Sequence, residues 1–168
     1  TAALIGGGYG GPPGSAYIAT TCTYNGTSWT ALGTPSNLSA GFFAGTGTGT
    51  STAAIMFSAT GRPALVESWD GSTWSEQAEA LTTRTGAGSA GTSTDAVYFG
   101  GEAGPVATGV TEHWDGTSFS TRPSMANARL GLASSGIQTA ALAIGGGPSG
   151  NLTEEYTVAI TTETVTTS

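Results

Sequence analysis

The stretch Val66-Glu67-Ser68-Trp69-Asp70-Gly71-Ser72-Thr73-Trp74 is the second of three similar segments in this chain. The third is Thr111-Glu112-His113-Trp114-Asp115-Gly116-Thr117-Ser118-Phe119, and the first, more divergent, is Thr21-Cys22-Thr23-Tyr24-Asn25-Gly26-Thr27-Ser28-Trp29. Aromatic residues occupy the fourth and ninth positions of every segment, and each recurs after 45 residues. A fixed period of this length indicates a chain built from repeated structural units.

Two further elements recur between the aromatic segments. One begins at Thr1, Thr52, Thr94 and Thr139, continues with apolar or small residues, and mostly ends in Gly-Gly. This pattern predicts a buried strand followed by a turn. The other element begins with Arg84-Thr85-Gly86 or Arg129-Leu130-Gly131, and with Ser39-Ala40-Gly41 at the corresponding earlier place. It leads into small-residue runs at 40–45, 86–91 and 131–136, which we expect to be tightly packed strands.

The pairs Asp70-Gly71 and Asp115-Gly116 separate a strand that holds the first aromatic residue from a short strand that starts at the second. Such pairs favour a type I′ hairpin turn, in which both central residues have positive φ. Each repeat therefore predicts four antiparallel strands. Four-stranded units at this period are typical of β-propeller blades, which stack because one blade cannot bury both of its faces alone.

The order Arg-x-Gly, Gly-Gly and aromatic-turn-Trp resembles kelch repeats, as in the propellers of galactose-oxidase-like proteins. The combination of Thr-Ala-Ala, Gly-Gly and Thr-Glu-x-Trp-Asp-Gly-Thr-Ser-Trp is most similar to the kelch-like repeats of bacteriophage tail and appendage proteins. The resemblance covers nearly the whole chain. It implies an all-β propeller with blade copies at about 1–38, 39–83, 84–128 and 129–168.

The first copy lacks an Arg-x-Gly strand, and the last lacks the Asp-Gly turn and the Trp that follows it. Residues 1–168 therefore predict one domain or segment with three and a half to four blades. Either the alternating C-terminal stretch completes the first blade and closes a four-bladed ring, or these are consecutive blades of a larger ring. We expect the larger ring, completed by residues absent from this sequence or by another chain.

Charged residues are few and mostly acidic. The 168 residues carry a net charge of −7, contain no Lys, and are only 9% charged, against about 25% in typical domains. Nucleic acid and anionic lipid are not expected partners, because binding phosphate requires a basic surface. No apolar run approaches the ~20 residues of a membrane helix, so we expect no membrane insertion. Cys22, the only cysteine, is expected to be a small half-buried residue.

The residues that could carry chemistry are better explained as structural. The adjacent Asp-Gly differs from the spaced Asp box of sialidase-like propellers, and the Asp-x-Asp-x-Asp spacing of a calcium loop is absent. Asp70 and Asp115 are therefore expected to form turns. A single His113 and a single cysteine do not support a zinc or copper centre, and no Gly-x-Ser-x-Gly motif occurs. We expect no enzymatic activity, no metal and no cofactor.

Charged residues repeated at equivalent positions predict a structural role. We expect Glu67, Glu112 and Glu154 to form ion pairs with Arg84 and Arg129 across strands or blades. The residues assigned to the structural repeat are Glu67, Trp69, Asp70, Gly71, Trp74, Arg84, Glu112, Trp114, Asp115, Gly116, Phe119 and Arg129.

Segments that differ between the copies are the expected ligand-binding loops, since propellers present such loops on one face of the ring. They are Tyr9–Tyr17, Glu102–Val110 and Pro148–Leu152, together with an inserted Gly-Thr run at Thr46–Thr50. The ligand contacts expected within them are Tyr9, Tyr17, Glu102 and Asn151.

The resemblance implies a non-enzymatic propeller of a viral tail fibre or another extracellular appendage. Such a module would present its loops for attachment to a host surface or its glycans, and would contact other structural chains or copies of itself. Two alternatives stay open at this point. One is a purely structural module that decorates or assembles a particle or filament, and the other is the non-catalytic propeller of a carbohydrate-active enzyme.

Overall fold

A computed structural model describes residues 2–10, 16–32, 45–59, 62–148 and 150–158. Every regular element within these ranges is a β-strand, so the predicted all-β class is confirmed. The same ranges contain no helix with the length and apolar character needed to cross a bilayer.

Apart from a separate two-stranded hairpin, the strands of the described residues form four antiparallel sheets in chain order, and each sheet is drawn from one copy of the repeat. Sheet 1 contains β1 (Ala3–Gly10), β2 (Ala16–Tyr24) and β3 (Trp29–Ala31). Sheet 2 contains β4 (Thr46–Gly49), β5 (Ala54–Ala59), β6 (Arg62–Trp69) and β7 (Trp74–Glu76). Sheet 3 contains β8 (Gly88–Gly91), β9 (Ala96–Phe99), β12 (Thr111–Trp114) and β13 (Phe119–Arg122), with a small hairpin of β10 (Glu102–Ala103) and β11 (Val106–Ala107) inserted. Sheet 4 contains β14 (Ala133–Ile137), β15 (Ala140–Ile144) and β16 (Thr153–Thr157).

The second strand of the repeat is β1, β5, β9 or β15, since sheet 1 begins at this strand. In sheets 2 and 3 it packs against both neighbouring sheets, because successive side chains of a strand point to opposite faces. In β9, Ala96 and Tyr98 join a buried cluster with sheet 2, whereas Val97 and Phe99 join a cluster with sheet 4. The ring of Tyr98 stacks on that of Phe57 with the ring centroids 4.9 Å apart. We call the side of a sheet that faces the preceding sheet its front face, and the side that faces the following sheet its back face.

The first strands of neighbouring sheets lie close together, as they do around the axis of a propeller. The hydroxyl of Thr46 in β4 lies 3.0 Å from that of Ser89 in β8, and the Thr48 hydroxyl donates to the Gly91 carbonyl. The amide of Ser89 in turn donates to the Ser134 hydroxyl in β14. The small side chains of these first strands allow the strands to lie close together, and the hydroxyl groups of Thr and Ser form hydrogen bonds between them.

The four sheets form an open arc within the described residues. Buried clusters link sheet 1 to sheet 2, sheet 2 to sheet 3, and sheet 3 to sheet 4. None of these clusters joins sheet 4 to sheet 1. The C-terminal stretch that could close a four-bladed ring, residues 159–168, lies outside the described ranges.

The inserted Gly-Thr run was expected to be a loop, and this prediction is wrong. Residues Thr46–Gly49 are β4, which pairs with β5 as the first strand of sheet 2. Glycine is unfavourable in a strand, but here the threonine hydroxyls bond to the neighbouring sheet and hold the segment extended. Most of the run predicted for this strand, residues 40–44, lies outside the described ranges.

The predicted type I′ turn is also wrong. Trp69 pairs with Trp74, so the connection is a four-residue loop rather than a two-residue turn. Only Gly71 in this loop has a positive φ, 99°, and Asp70 does not. The difference arises because the Asp70 carboxylate accepts hydrogen bonds from the amides of Ser72 and Thr73, which stabilises the longer loop.

Two ion pairs, one fully buried and one partly buried, fix the chain segments that lead from one sheet to the next. Arg84 lies 3.3 Å from the Glu112 carboxylate, and both side chains are at most 1% exposed. The same carboxylate accepts the backbone amides of Leu81 and Thr82, and the Arg84 guanidinium lies 4.0 Å from the centre of the Tyr98 ring. The expected repetition of the ion pair is observed, although each pair lies within one blade.

The second pair has the same design one repeat later. Arg129 donates to Glu154 at 2.6 Å and to the carbonyls of Gly145 and Leu152. Glu154 also accepts the amide of Ala126, as Glu112 accepts the equivalent amide of Leu81. Glu67, the third repeated glutamate, is buried, but its expected partner position, Ser39, lies outside the described residues.

Replacing Arg84 with alanine is expected to lower the free energy of unfolding by about 3–5 kcal/mol, because Glu112 then stays buried without its counter-charge. The measurement is urea denaturation followed by tryptophan fluorescence. Arg122→Ala is the matched control, since Arg122 is exposed and is expected to change stability by less than about 1 kcal/mol. Equal midpoints for Arg84→Ala and wild type would contradict the role given to the pair.

Candidate binding surface

The four residues expected to contact a ligand all lie where the second strand of a sheet is connected to the third. Tyr9 and Tyr17 are directly opposite each other near the far ends of β1 and β2. Glu102 is a half-buried residue of β10, and Asn151 is exposed between β15 and β16. Three of the four therefore lie in strands rather than in loops, because the connections are partly hairpins.

These residues belong to the connections of three different sheets. Two of them have described side chains, Glu102 and Asn151, and neither lines either of two cavities found in the described part of the chain. Among the described side chains, no hydrogen bond joins Glu102 to Asn151. A ligand that contacts them all would have to lie across several connections.

The connection between the second and third strands is the part of the repeat that changes most in length. It can be measured from the starting Thr of the second strand to the first aromatic residue of the third. From Thr1 to Tyr24 this interval is 23 residues, whereas from Thr94 to Trp114 it is 20. From Thr52 to Trp69 and from Thr139 to Tyr156 it is 17. The interval from the first aromatic residue to the next starting Thr also varies, from 28 residues after Tyr24 to 25 after Trp69 and Trp114. The aromatic residues keep a 45-residue step from Tyr24 to Trp69 and Trp114, and the step from Trp114 to Tyr156 is 42.

The longer connection in sheet 3 is built as a projecting hairpin. Glu102 pairs with Ala107 and Ala103 with Val106, around a turn at Gly104. Val106 is exposed. The hairpin is anchored by backbone hydrogen bonds between Glu102 and Thr85 in both directions. Its base is therefore fixed to the scaffold while its tip is presented to solvent.

The two cavities lie elsewhere, at sheet edges. One, of about 420 Å³, is bordered by β1 and β4, and the other, of about 590 Å³, lies beside β16. The larger cavity has an apolar floor of Phe99, Met125 and Tyr156, with Arg122 and Glu155 at its wall. In sheet 3 the corresponding place, next to Phe57 and Trp114, holds Phe119 of the fourth strand. The cavity thus lies where a fourth strand would pack in sheet 4, and its lining does not include Glu102 or Asn151.

The repeated aspartates are committed to their loops. The carboxylate of Asp70 accepts the amides and hydroxyls of Ser72 and Thr73, and these bonds lower the pKa of Asp70 from 3.8 to about 2. The amides of Thr117 and Ser118 lower the pKa of Asp115 in the same way. Asn25 makes the equivalent amide contacts in sheet 1 without a charge. Both aspartates are used as hydrogen-bond acceptors of a turn.

The Asp70 carboxyl carbon is expected to titrate with a midpoint near pH 2 in an NMR titration of the folded protein. Its folded-state pKa is depressed, so its contribution to stability is complete above the unfolded value of about 3.9 and is lost as the pH falls toward 2. Asp70→Asn should keep the loop, as Asn25 does, and remove this part of the acid sensitivity. A midpoint near 3.9 would show that the amide hydrogen bonds do not hold the carboxylate.

The only histidine uses both ring nitrogens in a polar trio. His113 Nε2 lies 2.6 Å from the Asp95 carboxylate, so it donates, and Nδ1 accepts from Arg122 at 2.9 Å. The sequence offered no signal for this trio, because its members are 18 and 9 residues apart and come from three strands or loops. The described residues hold no group of three or more His, Cys, Asp or Glu side chains suited to a metal ion.

Comparison of this chain with protein-family models and with curated proteins found no match to either.

Proposed function

We propose that this chain is a non-enzymatic kelch-like propeller module of a viral tail fibre or another extracellular appendage. Its connections between second and third strands attach to a host surface, with glycans as the ligand class. The observation that carries the proposal is the unequal length of these connections, with intervals of 23, 17, 20 and 17 residues, in otherwise similar copies of the repeat. Variation confined to one end of the sheets is typical of a binding surface on a structural frame.

The polar chemistry of the scaffold supports a binding role over catalysis. Arg84 and Arg129 are paired with glutamates that also hold the backbone of the preceding linker. Asp70 and Asp115 close their loops. The repeated charged groups are therefore engaged in holding the fold, and the resemblance to kelch-like repeats of phage appendages supports the location.

A scaffold module is the second candidate, favoured by a separate observation. The outward faces of sheets 1 and 4 carry exposed apolar side chains, among them Ile5, Trp29 and Ile137. Exposed apolar side chains grouped on one surface indicate a contact with another protein. This arrangement suits a particle or filament in which the outward faces of sheets 1 and 4 contact neighbouring protein chains.

The proposal is tested by binding of the purified chain to a glycan array and to host cells. We expect binding that is weakened at least about tenfold, a loss of roughly 1.4 kcal/mol, in the triple variant Glu102→Ala/Val106→Ala/Asn151→Ala. Glu79→Ala is the matched control, because Glu79 is an exposed acidic residue outside the connections.

Absence of binding by the wild-type chain, with antibody label found along a native filament or particle, would replace attachment by the scaffold role. Label confined to free soluble protein would contradict the appendage location. Binding that is unchanged in the triple variant would move the ligand site away from the connections.

A further inference from the structure

Two sheet faces at the ends of the arc are apolar and have no neighbouring sheet among the described residues. They are the front face of sheet 1 and the back face of sheet 4. The alternation of side chains along β1 and β15 shows which residues lie on each face. In sheets 2 and 3 both kinds of face are covered by a neighbour. One of the two exposed faces is a front face and the other is a back face. Within the chain, the back face of each sheet packs on the front face of the next sheet, so these two faces are of the kinds that pack together.

The back face of sheet 4 repeats positions that are buried elsewhere. Leu142 and Ile144 occupy the positions of Val97 and Phe99 in sheet 3, which are 0% and 2% exposed. Leu142 and Ile144 are 39% and 40% exposed, and Ile137 on the same face is 55% exposed. The side chains that normally meet the next blade are present here and meet solvent.

The front face of sheet 1 is the complementary surface. Trp29 occupies the position of Trp74, which is 8% exposed where sheet 1 covers it, yet Trp29 is 53% exposed. Its ring lies 5.1 Å from that of Tyr24, as the aromatic pairs of the later copies do. Ile5 and Ile18 are also exposed on this face.

The charge pattern of the front face fits a junction between separate chains. In sheet 3 the front face carries the carboxylate of Glu112, which is satisfied by the linker that arrives from sheet 2. At the corresponding position of sheet 1 stands Cys22, so covering this face buries no carboxylate there. Burying an apolar face stabilises a contact, whereas burying an unpaired charge opposes it.

We infer that the back face of sheet 4 in one copy of this chain packs on the front face of sheet 1 in a second copy. The contact continues the blade-on-blade packing that already occurs three times inside the chain. Two copies joined at both ends supply eight sheets, which is within the range of four to eight blades found in closed propellers. The contact is head-to-tail, and closure into a ring leaves no apolar end face.

Sedimentation equilibrium of the chain between roughly 1 and 100 μM tests this inference. We expect wild type to reach twice the 16.5 kDa mass of one chain. Leu142→Glu and Ile5→Glu, each on a different end face, should both weaken dimerisation by on the order of a hundredfold or more, because each buries an unpaired charge. Val106→Glu, on the exposed hairpin away from both faces, is the control and should dimerise like wild type.

A mixing experiment identifies the head-to-tail arrangement. Leu142→Glu leaves the front face intact and Ile5→Glu leaves the back face intact, so a mixture of the two should recover one good junction and form mixed dimers. Circular dichroism of each monomeric variant should match wild type, since both side chains are exposed in the single chain.

Three outcomes would overturn the inference. One is a wild-type chain that stays monomeric throughout the concentration range. Another is disruption by only one of the two end-face variants, which would indicate pairing of like faces. The third is a variant mixture that stays monomeric while wild type dimerises.

Discussion

Every sheet of this protein has two faces to bury and can bury neither alone. Strand β9 shows both faces in contact, because Tyr98 faces the preceding sheet while Val97 and Phe99 face the following one. Full burial of one such side chain contributes about 1.5–3 kcal/mol. A single sheet has no partner for these side chains, so the fold exists only as a stack, and its sheets share one strand pattern because each must fit the same kind of neighbour.

The linkers between sheets are fixed by a second device. A carboxylate on the third strand binds two backbone amides of the arriving linker and an arginine that follows them, as Glu112 does with Leu81, Thr82 and Arg84. Burying a charge pair does not by itself stabilise a protein much. Here the pair also satisfies backbone donors, so it determines where the next sheet starts and keeps successive sheets in register.

The sequence predicted the features that depend on period and alternation. The four-stranded units, the stack and the pairing of Arg84 and Arg129 with glutamates all follow from residues that recur at a fixed step. The features that depend on tertiary hydrogen bonds could not be predicted. Strand β4 is a Gly-Thr run held by hydrogen bonds to Ser89 and Gly91 of the next sheet. The conformation of the Asp-Gly loop depends on the backbone amides that donate to the Asp70 carboxylate, rather than on the turn propensity of the Asp-Gly pair.

The candidate binding surface was predicted only in part. Differences between the copies located the connections, but their hairpin form depends on contacts such as that between Glu102 and Thr85. Their unequal lengths can be read from the positions of Thr94 and Trp114 and their equivalents. No local sequence pattern predicts a ligand for these connections, because binding loops depend on shape and polar contacts at a surface rather than on packing in a core.

The dependence of each sheet on two neighbours is tested most directly by native-state hydrogen exchange of the chain at high dilution. The slowest exchange is expected in β5 and β9, whose sheets are covered on both faces, and faster exchange in β1 and β15, whose sheets are covered on one face. Equal protection in all four strands, or slowest exchange in β1 and β15, would contradict the dependence of each sheet on its neighbours.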